Sequence, residues 1–375
     1  MWSFDGFVRP ILLFIACLIV ILAAPMMVNA AGTPVSVYGV WHCGNDYCSW
    51  GTVRSVSEFD SKNHWIVDRG DGSALPSVNV VVLSFVNPLK LLNLTNDGTT
   101  SQGIPIGMTA EIVNYFKAKN IRVMLSIGGI TYVNDWNTAL ATNAKQLGIN
   151  AAYTAHRLGV GIEIDYEDSK APNLAGMQEF IDAYRAYVYL PNGTNTLYDP
   201  SGVNAAARLT IDLAAGDRWL IALTGKATAD WLNTANPVLD YANAMVPSRL
   251  PSGAAEAESN WQEHVDGKPQ YSPPISPLAP AKFTGSLYIA KGSRPLAECV
   301  SFLGSLEDTT GDYVYSVPPK VQGATYGMLG YMFWAAECPA SRGVCTTPPN
   351  GCLGGVGRGA TVYQVPVPMQ PLRQQ

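Results

Sequence analysis

Residues 159–168 read Gly159-Val160-Gly161-Ile162-Glu163-Ile164-Asp165-Tyr166-Glu167-Asp168. Side chains alternate along a β-strand, so Glu163, Asp165 and Glu167 share one face, while Val160, Ile162, Ile164 and Tyr166 take the other. One face is apolar and the other is a column of acids. Carboxylates a few ångströms apart repel one another, and burial worsens the repulsion. Such a face is costly unless it lines a cleft where the acids do chemistry. The alternative, a solvated face on an edge strand, fits poorly with the flanking Val-Gly-Ile and the apolar face, which read as a central strand.

Similar runs recur on both sides of this one. Val35 to Trp41 reads as a first strand, and Val78 to Val86 as a second, nearly all apolar in the manner of a buried parallel strand. Ile121 to Ile127 is a third, and Val160 to Tyr166 is the fourth. Leu209 to Leu213, Tyr241 to Val246, Phe283 to Ala290 and Gly327 to Trp334 complete the set. Between them, Thr109 to Lys119 has Ile112, Val113 and Phe116 on one helical face. Trp136 to Ala155, Leu174 to Tyr189 and Leu296 to Leu306 also read as helices. Pro247 to Pro280 is rich in Pro, Ser and Ala and reads as a long loop over the barrel mouth. Eight strands alternating with helices predict an α/β fold, a closed (β/α)8 TIM barrel, in preference to an open doubly wound sheet. The first strand is not followed by GxGxxG, which argues against a nucleotide fold.

The ends of the chain carry different signals. Arg9 precedes the apolar run Ile11 to Ala24, which is short for a membrane span. Pro25 follows, and Val28-Asn29-Ala30 offers small residues of the kind cut by signal peptidase. Residues 1–30 are therefore expected to be a secretory signal, 31–337 the barrel, and 338–375 a Cys/Gly/Pro-rich tail. An uncleaved anchor is the competing reading of the first segment. Cys17 leaves with the signal, and Cys43, Cys48, Cys299, Cys338, Cys345 and Cys352 remain. An even count in an exported chain suggests disulfides, and Cys43 and Cys48 are close enough in sequence to close a tight loop. The tail has no CxxC pair with a nearby histidine, so zinc is not indicated. Asn93-Leu94-Thr95 and Asn192-Gly193-Thr194 are possible glycosylation sequons. The net charge of −5 on 375 residues, with no basic cluster, argues against a nucleic-acid partner. No metal or organic cofactor is indicated. A secreted monomer without a stable membrane partner is expected.

With the strands in order, the chain resembles the family 18 glycoside hydrolases, which include many chitinases. Their fourth-strand signature DGxDxDxE aligns with Val160 to Glu167, with Glu163 standing for the first Asp of DxDxE and Val160-Gly161 for the leading Asp-Gly. Their SxGG motif is present as Ser126-Ile127-Gly128-Gly129. The eighth strand ends in tryptophan, here Gly330-Tyr331-Met332-Phe333-Trp334. The sixth-strand motif MxYD aligns with Met245-Val246-Pro247-Ser248, where its tyrosine and aspartate are absent. The resemblance spans roughly Val35 to Glu337.

The resemblance implies a catalytic trio. Glu167 is the expected proton donor, at the end of its strand. Asp165 is expected to orient the substrate's acetamido group, and Glu163 to share a proton with Asp165. Trp334 is the expected platform for a sugar ring. Trp136 and Asp212 are further candidates for substrate contact, with core packing or a solvated position as their alternatives. Trp41 is a weaker candidate. The expected partner is a polysaccharide or oligosaccharide containing N-acetylglucosamine, cleaved at β-1,4 linkages by substrate-assisted catalysis with retention. Two alternatives stand beside it: an endo-β-N-acetylglucosaminidase acting on N-glycans, and a catalytically inactive chitinase-like lectin.

Overall fold

The structure is a computed structural model that describes residues 36–68, 74–188, 205–216, 219–234, 238–245, 254–288 and 303–335. The expected signal at 1–30, the tail at 338–375, Cys299 and the other late cysteines, the Asn192 sequon and Val246-Pro247-Ser248 lie outside these residues.

Eight strands close a barrel. They are β1 (Val37–His42), β2 (Val80–Val86), β3 (Arg122–Gly128), β4 (Gly161–Asp165), β5 (Leu209–Leu213), β6 (Ala242–Ala244), β7 (Phe283–Tyr288) and β8 (Gly330–Trp334). Every neighbouring pair is parallel, and β8 closes on β1 with Val37 opposite Gly330. Among the described residues the α-helices of six residues or more are α1 (Val56–Val67), α2 (Ala110–Lys117), α3 (Val133–Leu158), α4 (Leu174–Val188), α5 (Ile221–Lys226), α6 (Ala254–Asp266) and α7 (Leu303–Ser316). This is the (β/α)8 barrel expected from the sequence. Among the described residues no helix is long and apolar enough to cross a membrane.

The two faces of the strands define two cores. Val81 and Leu83, Val123, Leu125 and Ile127, Ile162 and Ile164, and Leu209, Ile211 and Leu213 turn outward into one continuous cluster with the helices. Burying each such side chain contributes about 1.5–3 kcal/mol. A register slip by one residue would turn the whole set to the wrong face, so the register is firmly set. The barrel interior is divided. Val37, Trp41, Val80, Val82, Met124 and Met332 form an apolar cluster on the side of β1, β2, β3 and β8, joined by Tyr241 from just before β6. Glu163, Asp165, Thr210, Asp212, Asn243, Thr284 and Ser286 are also buried, and they put polar groups on β4 to β7.

Several segments differ from expectation. The stretch from Pro247 to Pro280, read above as a loop, contains the thirteen-residue helix α6. Its buried side chains are Ala257, Asn260, Trp261, His264 and Val265, a helical stripe in which two members are polar. His264 Nε2 donates to Ala214 O at 2.7 Å, and Trp261 packs edge-on against Tyr331 of β8. The helix thus covers the outside of the barrel. The last described helix spans Leu303–Ser316, beyond the expected end at Leu306. Helix α3 is longer than expected and kinks at Asn143 (φ −165°, ψ 77°), whose Oδ1 accepts from Gln146 N at 2.9 Å and restarts the helix as a cap. Strand β6 is only three residues long, so Met245 lies just past its end.

Candidate active site

Glu163 and Asp165 stand on β4, and Glu167 follows two residues beyond its end, at the C-terminal mouth of the barrel where sites of this fold lie. Glu163 and Asp165 are buried and Glu167 is half-buried. The three predicted catalytic acids are therefore brought together in one column.

The backbone of this column is held from behind. Asp165 O accepts from Gly129 N at 2.9 Å and from Trp136 Nε1 at 3.1 Å. Gly128 has φ +122°, and a Cβ there would lie 1.8 Å from Asp165 O and 2.3 Å from Trp136 Nε1. Only glycine allows β3 and β4 to approach this closely. A Cβ on Gly129, at φ +92°, would similarly lie 3.2 Å from the Phe85 ring. The two glycines of Ser126-Ile127-Gly128-Gly129 are thus structural parts of the site.

The residues on either side of Glu167 are also fixed. Tyr166 faces the helices, and its hydroxyl donates to Asn137 Oδ1 and accepts from Asn173 N at 2.8 Å. Asp168 Oδ2 accepts from Asn137 Nδ2 at 2.7 Å, and its Oδ1 caps the turn through Lys170 N and Ala171 N. Asn137 on α3 therefore clamps both neighbours of Glu167 with one amide.

Deeper in the barrel, Trp41 Nε1 donates to Glu163 Oε1 at 2.8 Å. Asn243 Nδ2 donates to Glu163 Oε2 at 2.7 Å and to Asp212 Oδ1 at 3.1 Å. Thr284 Oγ1 donates to Asn243 Oδ1 at 2.8 Å. Asp165 differs from Glu163: its Oδ1 is buried and has no hydrogen-bond partner among the described residues.

Burial raises the proton affinity of all four acids. Glu167 is pushed up to about 7 by desolvation, against a hydrogen bond from the Ile130 backbone. Glu163 is also raised to about 7 by burial, although the hydrogen bonds from Trp41 and Asn243 favour its charged form. Asp165 is raised well above the usual carboxylate range by burial and then by the charges of Glu167 and Glu163. Asp212 is raised similarly, by burial and then by Glu163 and Asp165. A mouth-facing acid that is still protonated near neutral pH can donate a proton, and the unused oxygen of the carboxyl beneath it can accept a hydrogen bond from a substrate N–H.

Trp334 ends β8, is partly buried, stacks on Phe85 (5.6 Å, 27°) and meets Trp41 edge-on (6.2 Å). It belongs to the rim of the interior cluster. The other two substrate candidates need correction. Trp136 has no exposed surface. It packs between Tyr166 (5.6 Å) and Phe180 (5.6 Å) and uses its only polar atom on Asp165 O, so it positions β4 and is enclosed away from ligand. Asp212 does point into the barrel, but its contacts are Asn243 and Glu163, which makes it part of the buried acid network. Glu163 is linked to Asp212 through the Asn243 amide, a neighbour not anticipated from the sequence. Asn243 and Thr284 were not anticipated either. A polar residue at the middle of a short apolar strand was their only signal.

No protein-family model matches this chain, and no curated protein matches it. Among solved structures it is similar to a GH18 chitinase from Pseudoalteromonas aurantia, at 14% identity over 72% of this chain and 90% of that one, with a TM-score of 0.43. It is similar to a chitinase from Rhizomucor miehei at 12% identity over 79% of this chain and 93% of that one, with a TM-score of 0.45. It is also similar to a class V chitinase from Nicotiana tobaccum, at 12% identity over 80% of this chain and 93% of that one, with a TM-score of 0.43.

Proposed function

We propose that this barrel is a secreted glycosidase of the family 18 type, which hydrolyses β-1,4-linked N-acetylglucosamine with retention of configuration. One observation carries the reading. Glu167 is a half-buried acid at the barrel mouth whose proton affinity is raised to about 7, and the carboxyl beneath it, Asp165, has a free oxygen.

The chemistry follows from these positions. Glu167 gives its proton to the glycosidic oxygen as the bond to the anomeric carbon breaks. The substrate's own acetamido oxygen attacks that carbon, so no protein nucleophile is needed, and the intermediate is a cyclic oxazolinium ion. Asp165 Oδ1 accepts the acetamido N–H and stabilises the positive charge that develops on it. Glu167, now a carboxylate, takes a proton from the water that opens the ring. Trp334 offers an apolar face on which a pyranose ring can stack. The family's sixth-strand tyrosine has no equivalent among the described residues of β6, so orientation of the acetamido group rests on the β4 acids.

Incubation of the chain with chitotetraose and with a high-mannose glycoprotein, followed by mass analysis, separates the possible activities. Chitobiose is the expected product. Release of an intact glycan would instead assign an endo-β-N-acetylglucosaminidase, and binding without cleavage would assign a lectin. N-terminal sequencing of exported protein tests the signal, with a mature chain beginning at Ala31 expected.

A further inference from the structure

Glu163 and Asp212 come from adjacent strands, and the hydrogen bonds around them are unequal. Each Glu163 oxygen accepts from a donor that cannot release a proton at ordinary pH: Oε1 from Trp41 Nε1 at 2.8 Å and Oε2 from Asn243 Nδ2 at 2.7 Å. Asp212 receives a single longer bond of this kind, from Asn243 at 3.1 Å. Asn243 Oδ1 accepts from Thr284 Oγ1 at 2.8 Å, and its amide nitrogen faces the acids. One nitrogen, Asn243 Nδ2, contacts both carboxyls, so the two buried acids are close neighbours. Two buried carboxyls this close repel as anions, so one of them carries a proton. The member with more donors is the better anion.

We propose that the shared proton resides on Asp212, that Glu163 is the ionised member of the pair, and that Asp212 and Asn243 are positioning residues for that charge. The other titratable groups around the pair are Asp165 on the same strand as Glu163, Glu167 two residues past the end of that strand, and Tyr241 immediately before β6. Given the glycosidase reading, the consequence is electrostatic. A negative charge on Glu163, gained as pH rises through about 7 and lying one strand step below Asp165, attracts the cationic intermediate but has little to act on in the neutral substrate. It therefore acts on kcat and not on KM.

The proton can be observed without any substrate. Infrared spectra of the full chain at neutral pH contain a carbonyl band from each protonated carboxyl. Asp212→Asn is expected to remove one such band from the wild-type spectrum. If that band survives in Asp212→Asn and is lost instead in Glu163→Gln, the proton belongs to Glu163 and the proposal is overturned. Should Asp212→Asn not fold, Thr284→Val releases the carbonyl of Asn243 and is expected to shift the same band; an unmoved spectrum contradicts the proposal equally. In hydrolysis of chitotetraose, Asp212→Leu removes the proton-bearing neighbour of Glu163 and is expected to lower kcat at least about tenfold with KM within about twofold. Asp212→Asn, which still offers an N–H, is expected to recover most of that loss. Equal kcat for the two variants would contradict the positioning role. If wild-type protein cleaves no chitotetraose, the glycosidase reading fails, while the infrared result still decides where the proton lies.

Discussion

Glu167 can act as an acid only while it holds its proton, and burial is what retains that proton up to about pH 7. Activity should therefore fall as pH rises through about 7, on the limb that reports the general acid. A kcat/KM profile that stays flat to well above this value would remove Glu167 from the role. Glu167→Gln keeps the shape and loses the proton, so turnover should drop by roughly 10²–10⁴-fold with sugar binding largely kept, as read by calorimetric titration with chitotetraose. The acids on β4 were legible from the sequence because alternation alone puts Glu163, Asp165 and Glu167 on one face. The partners of Glu163 were less so. Asn243 and Asp212 reach it from other strands, and a contact across strands leaves no trace in local spacing. Trp136 shows the converse, since a tryptophan near a predicted site can as well be holding the strand from behind.

At the level of the element, the exit from β4 is the critical segment. Asn137 ties Tyr166 and Asp168 to α3, and these residues flank Glu167 on both sides. Asn137→Ala leaves a buried tyrosine hydroxyl and a carboxylate short of partners, which costs about 1–3 kcal/mol. Urea unfolding should show that loss, and kcat should fall more than KM rises, because Glu167 is no longer held in place. An unchanged kcat in a destabilised variant would mean that the clamp serves stability alone. The strands were readable as elements because a strand buried on both sides is a continuous apolar run. Helix α6 was not, because Asn260 and His264 occupy inward positions of its stripe and hide the apolar period, while its Ala, Glu and Ser composition resembles a loop. Only where the helix meets Ala214 O does the reason for a buried histidine become visible.

For the molecule as a whole, the closed barrel with one apolar and one acidic interior half has a thermodynamic cost. Glu163 and Glu167 have folded values raised from 4.5 to about 7, and Asp165 and Asp212 are raised as well. Between those limits the unfolded chain has released protons that the folded chain still holds, so stability falls as pH rises from about 4.5 to 7. His42 acts in the opposite sense. It is buried and neutral, with its value lowered to about 4 and Nδ1 accepting from Gly44 N, so its contribution is lost as pH falls from 6.5 towards 4. Four raised acids outweigh it. The Tm should therefore decline from mildly acid to neutral pH, and Asp165→Asn should flatten the decline; a Tm that rises over this range would contradict the account of the interior. The central claim is that the acid column cleaves a glycosidic bond by substrate assistance, and the most direct measurement is proton NMR of chitotetraose during incubation with the chain. The account predicts chitobiose released first as the β-anomer by wild-type protein and no release by Glu167→Gln. First appearance of the α-anomer, or equal cleavage by the variant, would contradict it.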